Sequence, residues 1–274
     1  MSQQPLLHYS RQGQGQPLVI LHGLFGSGSN WGSHAKWLAE RYDVILPDLR
    51  NHGRSFHAPD MAYPTMAGDV LRLLDALELE SVLLLGHSMG GKTAMTLALQ
   101  APQRVRALVV ADIAPIPYRR GNGHRPLIAA MRQLDLSQVR SRTDASNALA
   151  DAIPSPSVRQ FLLTNLQRGA AGYYWRIPLD ILADQLEAIE DFPDFPGTFT
   201  QPTLFLYGEA SDYVTADAQD AIRRYFPNAR LHGIAGAGHW LHAEQPQAFA
   251  SALGDFLDRL TDPAILDALR LSLV

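Results

Sequence analysis

Residues 86–91 read GHSMGG, between the apolar run SVLLL (81–85) and the helical pattern KTAMTLALQ (92–100). A serine with glycine two places before it and two after, set between a buried strand and a helix, has the form of a tight strand-to-helix turn. Such a turn holds the serine in a strained backbone conformation with its hydroxyl exposed. The glycines admit neighbouring backbone where a Cβ would clash. The following helix directs the positive end of its dipole at the same point. Ser88 is therefore the candidate nucleophile, and the rest of the chain is read from it.

On both sides of this turn, short apolar runs recur: PLVILHG (17–23), YDVILPD (42–48), RALVVAD (106–112), PTLFLYG (202–208) and ARLHGIAG (229–236). Each ends in Gly, Pro, Asp or His, as strands buried on both faces do in a parallel sheet. Helical patterns separate several of them, including MAGDVLRLLDALEL (66–79) and AFASALGDFLDRL (248–260). The alternation predicts an α/β fold with a mostly parallel sheet and right-handed crossovers. It breaks after Asp112 and resumes only at PTLFL. A structureless loop of that length is disfavoured. The stretch carries helical patterns such as SVRQFLLTNLQ (157–167) and many aromatics. It is expected to form a helical cap over residues 115–200, with 1–114 and 201–274 as the core. Phe161 and Trp175 are its candidate pocket walls, and Phe25 of the core is a third candidate pocket residue.

A serine nucleophile needs a base. His239, in the small-residue loop GAGHW (236–240), follows the last strand pattern and is placed to serve. Acyl transfer also needs two N–H donors at the oxyanion. Met89, next after the serine, supplies one. The loop HGLFG (22–26) supplies the other, from Leu24 or alternatively Phe25. His242 is read as a packing or polar contact, and His87, next to the serine, points elsewhere if the turn has this form.

HGLFGS (22–27), DLRNHGRS (48–55), YPTMAGDV (63–70), GHSMGGK (86–92), VVADIAP (109–115) and IAGAGHWLHAE (234–244) occur in that order. Together they resemble the α/β-hydrolase family from about Leu6 to Leu260. More narrowly they resemble the small bacterial esterases of the YbfF type and their mitochondrial relatives. The resemblance implies an α/β-hydrolase fold and hydrolysis of esters or thioesters beneath a helical cap. DLRNHGRS reads as structural, with Arg50, Asn51 and Arg54 pinning the loop.

The acid of the triad is the open point. Many members of the family carry it three residues after a glycine that ends a strand. From Gly208 that slot is Ser211, and Asp212 falls one place late. Asp112 ends the preceding strand at the same sheet edge, and the YbfF-type pattern keeps this Asp with Ser in the usual slot. Asp112 is the expected acid and Asp212 the alternative; Asp180 and Asp184 in the insertion remain further carboxylates.

The expected function is a serine hydrolase for carboxylic esters or thioesters of short-to-medium acyl chains. The alternatives are another reaction run by the same triad (C–C hydrolysis, perhydrolysis or lyase chemistry) or a non-catalytic binding module on the same fold. Arg119, Arg120 and Arg125 near the start of the insertion are placed to meet an anionic substrate group or to form a solvated surface. The net charge of −4 lacks the basic footprint of a nucleic-acid binder. No histidine–carboxylate spacing marks a metal site, GxGxxG does not occur at a strand end, and no cofactor is expected. With no cysteine there is no disulfide framework or thiol nucleophile. No secretory signal or membrane-spanning run is legible. The expectation is a cytoplasmic protein, monomeric or homodimeric. The tail 262–274, with Ile265, Leu266 and Leu269 on one stripe, is expected to pack on its own domain or a second subunit.

Overall fold

The computed structural model describes residues 5–118 and 123–260. The tail stripe, Arg119 and Arg120 lie outside these residues. In chain order the elements are β1 (Tyr9–Gln12), β2 (Gln16–Leu21), α1 (Gly32–Leu38), β3 (Tyr42–Pro47), α2 (Tyr63–Ala76), β4 (Val82–His87), α3 (Met89–Gln100) and β5 (Val105–Ala111). The long insertion follows, with α4 (His124–Gln133), α5 (Arg142–Ala148), α6 (Pro156–Leu162), β6 (Leu166–Gly169), β7 (Gly172–Trp175), α7 (Leu179–Asp184) and α8 (Leu186–Glu190). The core then resumes with β8 (Thr203–Gly208), α9 (Ala216–Tyr225), β9 (Ala229–Ile234), α10 (Leu241–Glu244) and α11 (Pro246–Arg259).

Seven strands form one sheet in the order β1-β3-β2-β4-β5-β8-β9. All neighbours are parallel except β1, which runs antiparallel to β3 at the edge. The period of two along each strand divides the core between the two faces. Val19, Leu21, Leu84, Val110 and Phe205 pack toward α2 and α3. Leu18, Ile20, Leu85, Val109 and Leu206 pack toward α1 and α11. Burial on both faces is why these segments read as continuous apolar runs rather than as alternating patterns.

The order of the sheet brings the C-terminal ends of β4, β5 and β8 side by side. The Ser88 N–H donates to Ala111 O at 3.1 Å, and the Asp112 N–H donates to Leu206 O at 2.8 Å. Three consecutive strand ends are thereby stitched together at the edge where the chemistry-bearing residues emerge.

The insertion differs from the purely helical cap expected of it. Residues 157–167 do not form one helix: α6 stops at Leu162, and Leu166 opens a two-stranded hairpin with β7, in register Leu166↔Trp175. The run Tyr173-Tyr174-Trp175 favours a strand, and Gly172, at φ 118°, takes a conformation at the turn that a side chain would oppose. The insertion is tied to the core at several points. Asn165 Nδ2–H donates to Phe25 O at 2.8 Å, Tyr63 O–H to Ile189 O at 2.5 Å, and Lys92 Nζ–H to Glu190 O at 2.9 Å.

Candidate active site

Ser88 has φ 53° and ψ −121°, a region that costs a non-glycine residue about 1–3 kcal/mol. The turn holds because its neighbours lack side chains. A Cβ on Gly86 would run into the backbone of Gly90 and Gly91, and one on Gly90 into the carbonyls of Leu21 and His22. The strain leaves the serine hydroxyl pointing out of the sheet edge at the head of α3.

His239 Nε2 lies 3.0 Å from Ser88 Oγ, and His239 Nδ1 lies 2.8 Å from Asp112 Oδ2. Asp112 is fully buried at φ 49°, a left-handed conformation that aspartate tolerates better than most residues. Its carboxylate accepts from three donors: the Gly208 N–H at 3.0 Å on Oδ1, and Ser211 Oγ–H at 2.5 Å together with His239 on Oδ2. A buried carboxylate this well satisfied fixes Nδ1 as the protonated nitrogen of His239 and leaves Nε2 to accept from the serine.

The loop bearing His239 is strapped from behind. Glu244 accepts from the Gly238 N–H at 2.7 Å and from the Trp240 N–H at 3.2 Å, one on each side of the histidine. His87 Nε2–H donates to His239 O at 2.8 Å. Tyr213 stacks on the imidazole, with ring centroids 4.1 Å apart and 21° between planes.

The loop after β2 carries Phe25 at φ 64°. The Phe25 N–H is already committed to His52 Nε2 at 3.1 Å. The other donor weighed from the sequence is the Leu24 N–H. Leu24 and Met89 both line a cavity with Ser88. His52 is held neutral: burial, reinforced by His22, pushes its pKa down to about 3, and its Nδ1–H donates to Arg50 O at 2.9 Å. The loop carrying His52 is itself pinned. Arg50 pairs with buried Asp69 at 2.5 and 2.8 Å, Asn51 bonds both the N–H and C=O of Ala58, and Asp48 accepts from the Gly28 and Arg54 N–H groups.

Two cavities meet at Ser88. The larger, about 320 Å³, runs between Met89, Lys92, Ile113, Tyr63 and Tyr118. The smaller, about 180 Å³, runs between His239, Trp240, Phe25, Leu127 and Phe161. His124 borders both, and burial pushes its pKa down to about 4.

Of the pocket residues expected from the sequence, Phe25 and Phe161 line the smaller cavity. Trp175 does not join them among the described residues: its indole N–H donates to Met131 O at 3.0 Å, which holds the ring inside the insertion. Asp212 is exposed and borders the larger cavity, while His239 Nδ1 turns to Asp112. Asp180 is exposed and pairs with Arg132 at 2.9 Å; Asp184 and Arg125 are also exposed. Lys92, His124 and Tyr213 border the site without having been singled out from the sequence. Lys92 stands out in retrospect as the single charge on α3.

A model of the family described as alpha/beta hydrolase fold matches residues 16–246. The chain belongs to the α/β-hydrolase family. A zebrafish relative named sn-1-specific diacylglycerol lipase ABHD11 is 43% identical over 91% of this chain and 80% of its own. The Escherichia coli esterase YbfF is 38% identical over 90% of this chain and 95% of its own. Among solved structures, a marine microorganism esterase superposes with a TM-score of 0.89 at 42% identity, covering 92% of this chain and 99% of that one. The protein is thus a hydrolase of the esterase and lipase type. Among its described residues, no group of histidines and carboxylates could hold a metal ion, and no helix is long and apolar enough to cross a membrane.

Proposed function

We propose that this hydrolase cleaves carboxylic esters and thioesters through an acyl-enzyme on Ser88. The observation that carries the reading is the continuous hydrogen-bonded line from Ser88 Oγ through His239 to Asp112. Ser88 Oγ attacks the substrate carbonyl carbon as its proton passes to His239 Nε2. The oxyanion of the tetrahedral intermediate is held by the N–H groups of Leu24 and Met89. Collapse of the intermediate breaks the bond to the leaving oxygen or sulfur, which takes the proton from His239. Water then repeats the sequence on the acyl-serine and releases the acid. Asp112 stays ionised throughout and stabilises the imidazolium.

The insertion, residues 115–200, acts as a cap over this line. Its His124, Leu127 and Phe161 close the space above Ser88. Cavities of about 320 and 180 Å³ are at or below the low end of drug-sized ligand sites, which favours short-to-medium acyl chains. The relatives named esterase and lipase support the same class.

The test is labelling with a fluorophosphonate probe, together with hydrolysis of p-nitrophenyl esters and acyl thioesters of graded length by wild type and Ser88→Ala. Wild type should label and turn over, and the variant should lose at least about a thousandfold in kcat. A variant that retains more than a tenth of kcat would end the assignment.

A further inference from the structure

Lys92 lies one helical turn beyond Ser88, its N–H donating to Ser88 O at 3.0 Å. Ser88 and Lys92 line the same cavity, so the lysine side chain leaves α3 on the side of the serine. It is 1% exposed and lines the larger cavity with Tyr63, Met89, Ile113, Ile116 and Tyr118. Its Nζ donates to Glu190 O at 2.9 Å and Asp191 O at 2.7 Å, and lies 4.8 Å from the ring centre of Tyr118 and 5.5 Å from that of Tyr63. An ammonium carries three N–H groups, and the two carbonyls accept two of them.

A pocket meant for a plain alkyl chain gains nothing from this group. Burying an ammonium is costly, and a leucine or methionine would fill the space without that cost. Burial does press on the lysine, pushing its pKa down to about 7 despite the opposing charges of Asp191 and Glu190. The carbonyls and ring faces retain it at the cavity, and among the described residues its third N–H has no acceptor.

The side of the substrate that meets Lys92 follows from the proton path. The leaving group must stand beside His239, which lines the smaller cavity and is not among the described residues lining the larger one. The acyl group then extends into the larger cavity, past Met89 toward Lys92. The charge there selects among acceptors. Glu190 borders the cavity and Asp212 stands at it, so a distal carboxylate would face both.

Resting on the serine-esterase reading, we propose that Lys92 is a specificity-determining residue: it donates a hydrogen bond to a neutral carbonyl or hydroxyl oxygen on the distal part of the acyl group. The preferred substrates are then esters of oxo- or hydroxy-acids rather than of plain alkanoic acids.

The experiment compares kcat/KM of the full chain for ethyl pentanoate and hexanoate with ethyl 4-oxopentanoate and 5-oxohexanoate, followed by acid release. Rates are divided by those of hydroxide on the same esters. A hydrogen bond from a charged donor predicts at least about a tenfold preference for one oxo ester over its alkyl match. Lys92→Met should abolish that ratio. If Lys92 only pins the carbonyls of residues 190 and 191, the variant changes all esters alike and keeps the ratio, which overturns the proposal. Should the variant not fold, the wild-type ratio decides alone: no preference at either oxo position overturns it, and a tenfold preference sustains it. Hydrolysis of the plain esters by wild type tests the esterase reading separately.

Discussion

Ser211 Oγ–H donates a 2.5 Å hydrogen bond to Asp112 Oδ2, the same oxygen that receives His239 Nδ1–H. Ser211 occupies the position after β8 where a carboxylate is common in this fold, and here it serves a carboxylate that arrives from β5. Asp212, one residue on, is carried to the rim. Asp112→Asn should therefore lower kcat by about 10³–10⁴, because an amide can favour the wrong imidazole tautomer. Asp212→Asn should cost less than about tenfold. Ser211→Ala should fall between them, since Asp112 keeps the Gly208 N–H and His239 as partners. Steady-state kinetics on one p-nitrophenyl ester rank the three. A larger loss for Asp212→Asn than for Asp112→Asn would return the role to Asp212.

Glu244 is a positioning residue for His239. It accepts from the N–H groups on either side of the histidine and touches neither Ser88 nor a cavity among the described contacts. Glu244→Ala should lower kcat by about ten- to a hundredfold with KM little changed, because the loop loses its register at the imidazole and not at the acyl pocket. Glu244→Gln, which keeps one acceptor oxygen, should recover part of the loss. Equal loss in both variants, or a change confined to KM, would count against the assignment.

Arg50 supports the loop after β2 indirectly. It neutralises Asp69, which is 2% exposed, and its carbonyl holds His52 against Phe25. Arg50→Ala leaves Asp69 buried with Arg72 as its remaining cation. Breaking a buried pair costs about 3–5 kcal/mol, and the remaining partner places this case at the low end. A loss of about 3 kcal/mol lowers Tm by about 6–12 °C for a domain of this size. Thermal unfolding of the variant checks this. An unchanged Tm with a raised KM would instead make Arg50 a substrate contact.

The sheet, the nucleophile turn and the histidine loop were legible in the sequence because each is locally determined. A strand buried on both faces must be apolar throughout, and a strained serine turn must have small neighbours at fixed offsets. Asp112 was legible through its place at a strand end, once the slot after Gly208 held a serine. The interior of the insertion was not. Its helices and hairpin are short, so the period of SVRQFLLTNLQ could not reveal that the helix stops at Leu162. Trp175 read as a pocket wall because an aromatic in a cap is ambiguous until its N–H partner, Met131 O, is known. Lys92 stood within the quoted motif, but nothing local says whether a lysine one turn into a helix faces water or a cavity.

Acid should destabilise the protein steeply, and the buried histidines set the window. Burial, with His22 second, pushes the pKa of His52 down to about 3; burial, with His34 and His239 beside it, does the same to His242. Burial also pushes His22 and His87 down. In the unfolded chain each returns to about 6.5. Between those values the unfolded state binds a proton that the folded state refuses, so stability is complete above about pH 6.5 and drains away as pH falls toward 3. Each such histidine contributes a slope of up to about 1.4 kcal/mol per pH unit, so His52 and His242 together approach about 2.7. His242 offers the cleaner test. Its ring stacks on Trp31 with centroids 4.3 Å apart and 12° between planes, and its buried Nδ1 has no hydrogen-bond partner among the described residues. His242→Phe keeps the stack, removes the unsatisfied nitrogen and deletes one proton site. Urea unfolding at half-unit steps from pH 7 to pH 4.5 should show the wild-type free energy falling throughout. The variant's slope should be shallower by about 1.4 kcal/mol per unit below pH 6. Parallel curves for the two proteins would mean that His242 accepts its proton without unfolding.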